Sequence, residues 1–163
     1  MAEKLNTGDI FPKLTLDLVD GTKLDLPGGL EARYKVILFY RGHWCPYCRR
    51  QLAGFEKLKP ELDALGVKVV AASVDPIGKA KEVAAALSFP VGYGVTRDQA
   101  DQLGSWWDVT RAFIQPSEFL VAADGKLRSA TYSSGPIGRV DAADVVKLVT
   151  RYDTLAAQKA AGK

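Results

Sequence analysis

Long hydrophobic segments, dense charge and a leader-like N-terminus are all missing from this sequence. No stretch approaches the roughly 18 uninterrupted apolar residues that a membrane helix needs, so no membrane span is expected. Charges of one sign never form a long run and the formal net charge is only +3, which argues against nucleic-acid binding. Residues 1–6 contain no apolar run and no small-residue cleavage site, so the expected location is cytoplasmic.

What remains is the composition of a folded domain. The chain has 163 residues, of which 47% are hydrophobic and 25% are charged. This length and balance allow a core to form without a metal or disulfide to hold it together. We therefore predict one domain over residues 1–163, whose Ala/Lys-rich end at about 156–163 is frayed.

Apolar residues recur with the periods of both strands and helices. Alternation around Asp20-Gly21 predicts a hairpin over residues 14–26, and the apolar run 36–40 predicts a strand buried on both faces. The same reasoning predicts strands at 67–74, 89–95, 119–122 and 126–132, and helices at 46–65 with a break at Pro60, 77–87, 97–104 and after Asp141. This alternation predicts an α/β fold with a parallel sheet region and antiparallel additions.

The chain contains two cysteines, Cys45 and Cys48, and both lie where a buried strand leads into a helix. Cys45 can cap that helix, with Pro46 at the first helical position. Because free N–H groups and the helix dipole stabilise an anion there, we expect a lowered pKa for the Cys45 thiol. Cys48 follows one turn later on the same face. The spacing favours a redox pair in which Cys45 attacks and Cys48 resolves.

Three other interpretations of the cysteines stay open. A structural disulfide would close so small a loop that it removes little chain entropy. A zinc site needs four ligands, and only His43, Cys45 and Cys48 lie near one another in the sequence. The third alternative is two unrelated buried cysteines. Redox chemistry is favoured, and it implies neither a metal nor an organic cofactor.

The segment Trp44–Cys48 resembles the thioredoxin superfamily, and its Cys-Pro-Tyr-Cys tetrad is similar to that of glutaredoxins. Over residues 5–150 the chain looks more like the peroxiredoxin-like branch, the alkyl hydroperoxide reductase/thiol-specific antioxidant (AhpC/TSA, redoxin) proteins. The segments that carry this likeness are the N-terminal hairpin, residues 40–49, Val-Asp-Pro at 74–76 and the hairpin at 119–127. The resemblance implies a thioredoxin-like fold, a central mixed sheet flanked by helices with an N-terminal β-hairpin addition.

The resemblance also implies a function. It predicts a thiol–disulfide oxidoreductase and antioxidant that cycles Cys45 and Cys48 between dithiol and disulfide. One alternative is a thiol-dependent hydroperoxide reductase in which Cys48 is peroxidatic, and another is a redox-sensing protein with low turnover. A thioredoxin- or glutathione-type reductant would regenerate the dithiol, and a homodimer is compatible with this assignment.

Residues around the pair are candidates for substrate contact. Trp44 is expected to shield the sulfurs, and Tyr47, which follows Pro46, to contribute to the substrate-facing surface. His43 is either a solvated loop residue or a group that lowers a thiol pKa or relays a proton. The arginines that could support a thiolate or bind an anionic thiol such as glutathione are Arg41, Arg49 and Arg50.

Pro116 is a further candidate, because the resemblance implies a cis-proline before a strand near the cysteines. The Gln115–Pro116 bond is the candidate, and an ordinary loop proline is the alternative. Peroxiredoxins place threonine three positions and proline seven positions before the peroxidatic cysteine, where this sequence has Cys45 and Arg41. Their distant arginine aligns with Pro116, so a peroxide site would have to be built differently.

Overall fold

A seven-stranded mixed sheet lies at the centre of the computed structural model, which describes residues 3–162. The seven strands of this sheet are β1 (Leu14–Leu18), β2 (Lys23–Leu26), β3 (Tyr34–Phe39), β4 (Val67–Ala72), β5 (Val91–Tyr93), β8 (Ser117–Ala122) and β9 (Leu127–Tyr132). Strands β6 (Trp107–Asp108) and β7 (Phe113–Ile114) lie outside it. The helices are α1 (Pro46–Lys57), α2 (Lys59–Ala64), α3 (Ile77–Ala84), α4 (Arg97–Leu103) and α5 (Ala142–Ala160).

The strand order of the sheet is β2-β1-β5-β4-β3-β8-β9. Strands β3, β4 and β5 are parallel neighbours, whereas β1 pairs antiparallel with β2 and β5, and β8 pairs antiparallel with β3 and β9. The prediction of a parallel region with antiparallel additions is therefore confirmed, and the structure places a hairpin at each side of the sheet.

Local signals correctly predict the boundary between α1 and α2 and both ends of α4. The predicted break at Pro60 is confirmed, because α1 ends at Lys57 and the proline lies in the first turn of α2, where its missing N–H costs no hydrogen bond. Thr96 and Gln99 form the expected capping box at the start of α4. Gly104 ends that helix with φ of 74°, in the left-handed conformation that glycine adopts without strain.

Other features differ from the sequence prediction. Helix α3 ends at Ala84 and not at residue 87. Strand β5 is shorter than residues 89–95, because two glycines interrupt its side chains. The two-residue strands β6 and β7 form a separate hairpin, which no alternating pattern in the sequence predicts. The end expected to fray is helical as far as Ala160, since alanine and lysine are strong helix formers, and Lys163 lies outside the described residues.

Both faces of the sheet are buried, and alternate residues of β3 show how they divide. Ile37 and Phe39 pack into one hydrophobic cluster, and Val36 and Leu38 pack into the other. The second cluster contains both cysteines together with side chains of α1 and α5. The sulfurs therefore lie between the sheet and two helices, in an apolar setting.

Within residues 3–162, no helix has both the length and the apolar character that crossing a membrane requires. The cytoplasmic location and the single-domain organisation stay predictions.

Phe55 tests the packing of α1 against the sheet, because its ring is fully buried in the cluster that holds the sulfurs. We expect Phe55→Ala to lower the free energy of unfolding by about 3–5 kcal/mol, since it removes apolar contact and leaves a cavity. Urea denaturation measures the change. The control is Leu155→Ala on α5, whose side chain is 44% exposed and should cost no more than about 0.5 kcal/mol. Equal losses in both variants would contradict this packing.

Candidate active site

Cys45 caps helix α1, as the sequence predicts. Its backbone is extended, and its sulfur accepts a hydrogen bond from the backbone N–H of Cys48 at 3.3 Å. Pro46 occupies the first turn, where backbone N–H groups have no partner within the helix, so its missing N–H costs no hydrogen bond. The helix start therefore stabilises negative charge on the Cys45 sulfur.

Cys48 lies one turn deeper, and two donors converge on its sulfur. The backbone N–H of Arg41 donates at 3.3 Å, and Nη2 of the Arg139 guanidinium donates at 2.8 Å. The same Nη2 atom is 3.8 Å from the Cys45 sulfur. Both sulfurs thus share one fixed cation, although both cysteines are fully buried.

Arg139 is the main residue that sequence reasoning missed. It follows β9 in the segment before α5, 91 positions from Cys48, and no local motif marks it. Its Nε donates to the carbonyl of Pro136 at 2.6 Å and its Nη1 donates to Oε1 of Gln51 at 2.7 Å. These bonds fix the guanidinium beside the sulfurs. The fold therefore supplies an arginine from another segment, although Pro116 occupies the position expected for it.

The two thiols differ in pKa. Burial is the largest effect on Cys48 and raises its pKa to about 11, in spite of the Arg139 charge. Burial also opposes ionisation of Cys45. There it is outweighed by hydrogen bonds from the Cys48 thiol and backbone N–H and by the charge of Arg139, so the pKa of Cys45 lies below its ordinary value. Cys45 is therefore the more acidic thiol of the pair.

The predicted cis bond at Pro116 is wrong. Among residues 3–162 the cis peptide bond is Leu26–Pro27, so Gln115–Pro116 is trans, the isomer that X–Pro bonds ordinarily favour. The Gln115 carbonyl accepts a hydrogen bond from Ser117 Oγ at 3.0 Å, and the Gln115 side chain accepts one from Arg41 Nε at 3.1 Å. This segment thus contacts the site through Gln115 and Arg41, whereas Pro116 itself is buried.

His43 is paired with a buried carboxylate. Its Nδ1 lies 2.8 Å from Oδ1 of Asp75, and its backbone N–H donates to the other carboxylate oxygen at 2.8 Å. Ser73 Oγ donates to that second oxygen as well. In the part of the chain that the structure describes, His43 makes no hydrogen bond to either sulfur. A role in lowering a thiol pKa or relaying a proton stays a prediction.

Exposed aromatic and cationic side chains lie around the start of helix α1. Trp44 packs edge-on against Phe113 with ring centroids 5.1 Å apart, and the Arg111 guanidinium lies 4.1 Å from the Trp44 ring centroid. Across the helix start, Tyr47 is exposed and the Arg50 guanidinium lies 5.7 Å from its ring centroid. Trp44 and Tyr47 are therefore exposed and lie next to positive charge. Shielding of the sulfurs by Trp44 and substrate contact by Tyr47 stay predictions.

Metal ligands are not assembled here: within residues 3–162 no three His, Cys, Asp or Glu side chains form a group able to hold a metal ion. The cysteines are free thiols.

Comparisons with known proteins show the family and the fold that this chain resembles. A sequence model of the AhpC/TSA family matches residues 7–130. A peroxiredoxin of Treponema denticola is 27% identical over 155 residues, which cover 90% of this chain and 73% of the relative. Two structures from Mycobacterium tuberculosis are similar to this chain. AhpC has a TM-score of 0.78 at 18% identity, and the match covers 92% of this chain and 94% of AhpC. The peroxidoxin BcpB has a TM-score of 0.77 at 22% identity, and the match covers 93% of this chain and 98% of BcpB. These likenesses confirm the predicted thioredoxin-like fold.

Limiting iodoacetamide at neutral pH should alkylate Cys45 before Cys48. With a pKa of about 11, only about one Cys48 thiol in ten thousand is ionised at pH 7, whereas the lowered pKa of Cys45 makes it the more acidic thiol. Fragment mass spectrometry of the peptide that contains both residues locates the label. In urea the two thiols should react equally, which serves as the control. Preferential labelling of Cys48 in the folded protein would contradict this assignment.

Proposed function

Because the chain belongs to the AhpC/TSA family, whose peroxiredoxin members are thiol-dependent peroxidases, we propose that Cys45 and Cys48 together reduce a hydroperoxide. The family makes this chain a cysteine-dependent oxidoreductase and antioxidant protein. The observation that carries the proposal is the Arg139 guanidinium, which lies within 2.8 Å of one sulfur and 3.8 Å of the other. A permanent cation in this place stabilises a thiolate on either cysteine.

The first step is attack by the Cys45 thiolate on the terminal oxygen of the peroxide. A sulfur–oxygen bond forms and the oxygen–oxygen bond breaks, so the sulfur is oxidised to a sulfenic acid and the peroxide is reduced. The departing alkoxide takes a proton from water and leaves as an alcohol, or as water when the substrate is hydrogen peroxide. Arg139 also stabilises the negative charge that develops on the departing oxygen.

The second step joins the two sulfurs. Cys48 attacks the sulfenic sulfur of Cys45, the sulfur–sulfur bond forms, and the hydroxyl group leaves as water with the Cys48 proton. The high pKa of Cys48 suits this order, because its proton stays in place until it is needed. A thiol reductant then returns the disulfide to the dithiol.

The alternative order, with Cys48 as the attacking group, is favoured by one observation. The Arg41 N–H and the Arg139 guanidinium both donate to the Cys48 sulfur, as two donors would for a stable thiolate. Burial acts against it, because it disfavours the charged form of the deeper thiol. Single cysteine variants distinguish the two orders.

Peroxide treatment of the native protein should remove two hydrogens and link Cys45 to Cys48. Cys48→Ser should stop at a sulfenic acid on Cys45, which a dimedone probe traps, because the resolving thiol is gone. Cys45→Ser should react slowly, because the remaining thiol has the raised pKa. Rapid sulfenic acid formation at Cys48 in the Cys45→Ser variant would instead assign the attack to Cys48.

The reductant we propose is a thiol that carries negative charge, of the glutathione or thioredoxin type. A groove of about 470 Å³ opens beside Arg139, and Tyr47, Arg50 and Ile137 also contribute to its walls. Two arginines face one carboxylate there, that of Asp141, so the groove favours anions. The homodimer that the sequence allows stays a proposal, which sedimentation velocity would check.

Arg139→Gln tests the cation directly. Loss of one charge-assisted hydrogen bond, worth about 1.5–3 kcal/mol, should slow peroxide reduction about 10- to 150-fold. The pH midpoint of thiol alkylation should also rise, because the Arg139 charge lowers the pKa of both thiols. The control is Arg151→Gln on the exposed side of α5, which should change neither rate nor midpoint. An Arg139→Gln protein with an unchanged rate would contradict the proposed mechanism.

A further inference from the structure

We propose that Glu118 is a positioning residue, which holds Arg139 against the two sulfurs through Gln51. Glu118 is the second residue of β8, opposite Leu38 of β3 and Thr131 of β9, and only 2% of its surface is exposed. A charged residue is rare at so buried a position unless it is paired. The sequence alone gives no reason to link it with the cysteines.

A continuous series of hydrogen bonds joins the carboxyl group to the active site. Gln51 Nε2 donates to Oε1 of Glu118 at 2.9 Å, and Arg139 Nη1 donates to Oε1 of Gln51 at 2.7 Å. The Arg139 Nη2 atom then donates to the Cys48 sulfur at 2.8 Å. Because the amide group of Gln51 has one donor end and one acceptor end, the Glu118 acceptor fixes which end faces Arg139.

Glu118 also fixes the backbone beside Arg139. Its Oε1 accepts a hydrogen bond from the backbone N–H of Val140 at 2.6 Å, and Gln51 Nε2 donates to the Val140 carbonyl at 3.0 Å. One carboxylate oxygen therefore holds both the side chain that orients the guanidinium and the residue that follows Arg139. Without this acceptor, the Val140 N–H and the Gln51 amide lose their hydrogen bonds to β8.

The arrangement costs free energy, which argues against a purely structural role. Burial raises the pKa of Glu118, against the opposing effects of Val140, Gln51 and the Arg139 charge. The second oxygen, Oε2, has no hydrogen-bond partner among the described residues. An aliphatic side chain at this position of β8 would avoid both penalties. What glutamate adds is the acceptor that Gln51 and Val140 require.

Glu118→Leu should displace Arg139 and so make the thiols less acidic. At neutral pH we expect the first thiol to react with iodoacetamide about tenfold more slowly, with the pH midpoint of alkylation about one unit higher. Glu118→Gln keeps an acceptor of the same shape and should stay within about threefold of the native rate. Thr131→Val is the control, because it changes the neighbouring side chain in the same cavity and should leave the midpoint in place.

A double-mutant cycle separates positioning from general loss of structure. If Glu118 acts through Arg139, Glu118→Leu should slow an Arg139→Gln protein by less than about twofold. The proposal is overturned if Glu118→Leu slows that protein about tenfold, if it lowers the melting temperature without moving the alkylation midpoint, or if Glu118→Gln is as slow as Glu118→Leu.

The inference takes its site from the proposed function, yet alkylation requires no peroxide. Absence of peroxide turnover in the native protein would therefore contradict the function, while the alkylation data would still decide the role of Glu118.

Discussion

The shared contact of two buried sulfurs with one guanidinium is the interaction on which the rest of the site depends. Burial disfavours a thiolate, and a dithiol that stays fully protonated would attack nothing. Arg139 counters that penalty, but a partly buried cation is itself costly unless its donors find acceptors. The Pro136 carbonyl, the Gln51 side-chain carbonyl and the Cys48 sulfur accept hydrogen bonds from its Nε, Nη1 and Nη2 atoms. The site therefore requires that the segment before α5 and helix α1 meet at one place.

Features that depend on neighbours in the sequence could be predicted. The cap at Cys45, the break at Pro60 and the capping box at Thr96 each involve residues within about four positions of one another. The parallel centre of the sheet and its antiparallel hairpins followed from strand–helix alternation and turn residues in the same way. Capping residues, prolines and turn residues determine these features locally, and tertiary contacts do not change them.

Features that depend on distant contacts could not be predicted. Arg139 and Cys48 are 91 positions apart, and Gln51 and Glu118 are 67 apart, so no periodicity or spacing links them. The family likeness placed the expected arginine at position 116, but the requirement is for a cation at the sulfur, and another segment supplies it. The same likeness suggested a cis bond at Pro116. The alignment of a proline carried no information about its peptide geometry, which surrounding contacts determine.

The residue at the N-cap of α1 decides what kind of redox site this helix can form. The peroxiredoxin pattern has threonine there, and a threonine hydroxyl can only donate or accept hydrogen bonds. Cys45 accepts the Cys48 N–H as a threonine hydroxyl would, and its sulfur can also be oxidised. A position that elsewhere supports one reactive cysteine thus provides a second sulfur within one turn. Because the N-cap lies nearer the free N–H groups of the helix, this added thiol is the more acidic one. The substitution therefore allows the whole oxidation cycle to be completed within one helical turn.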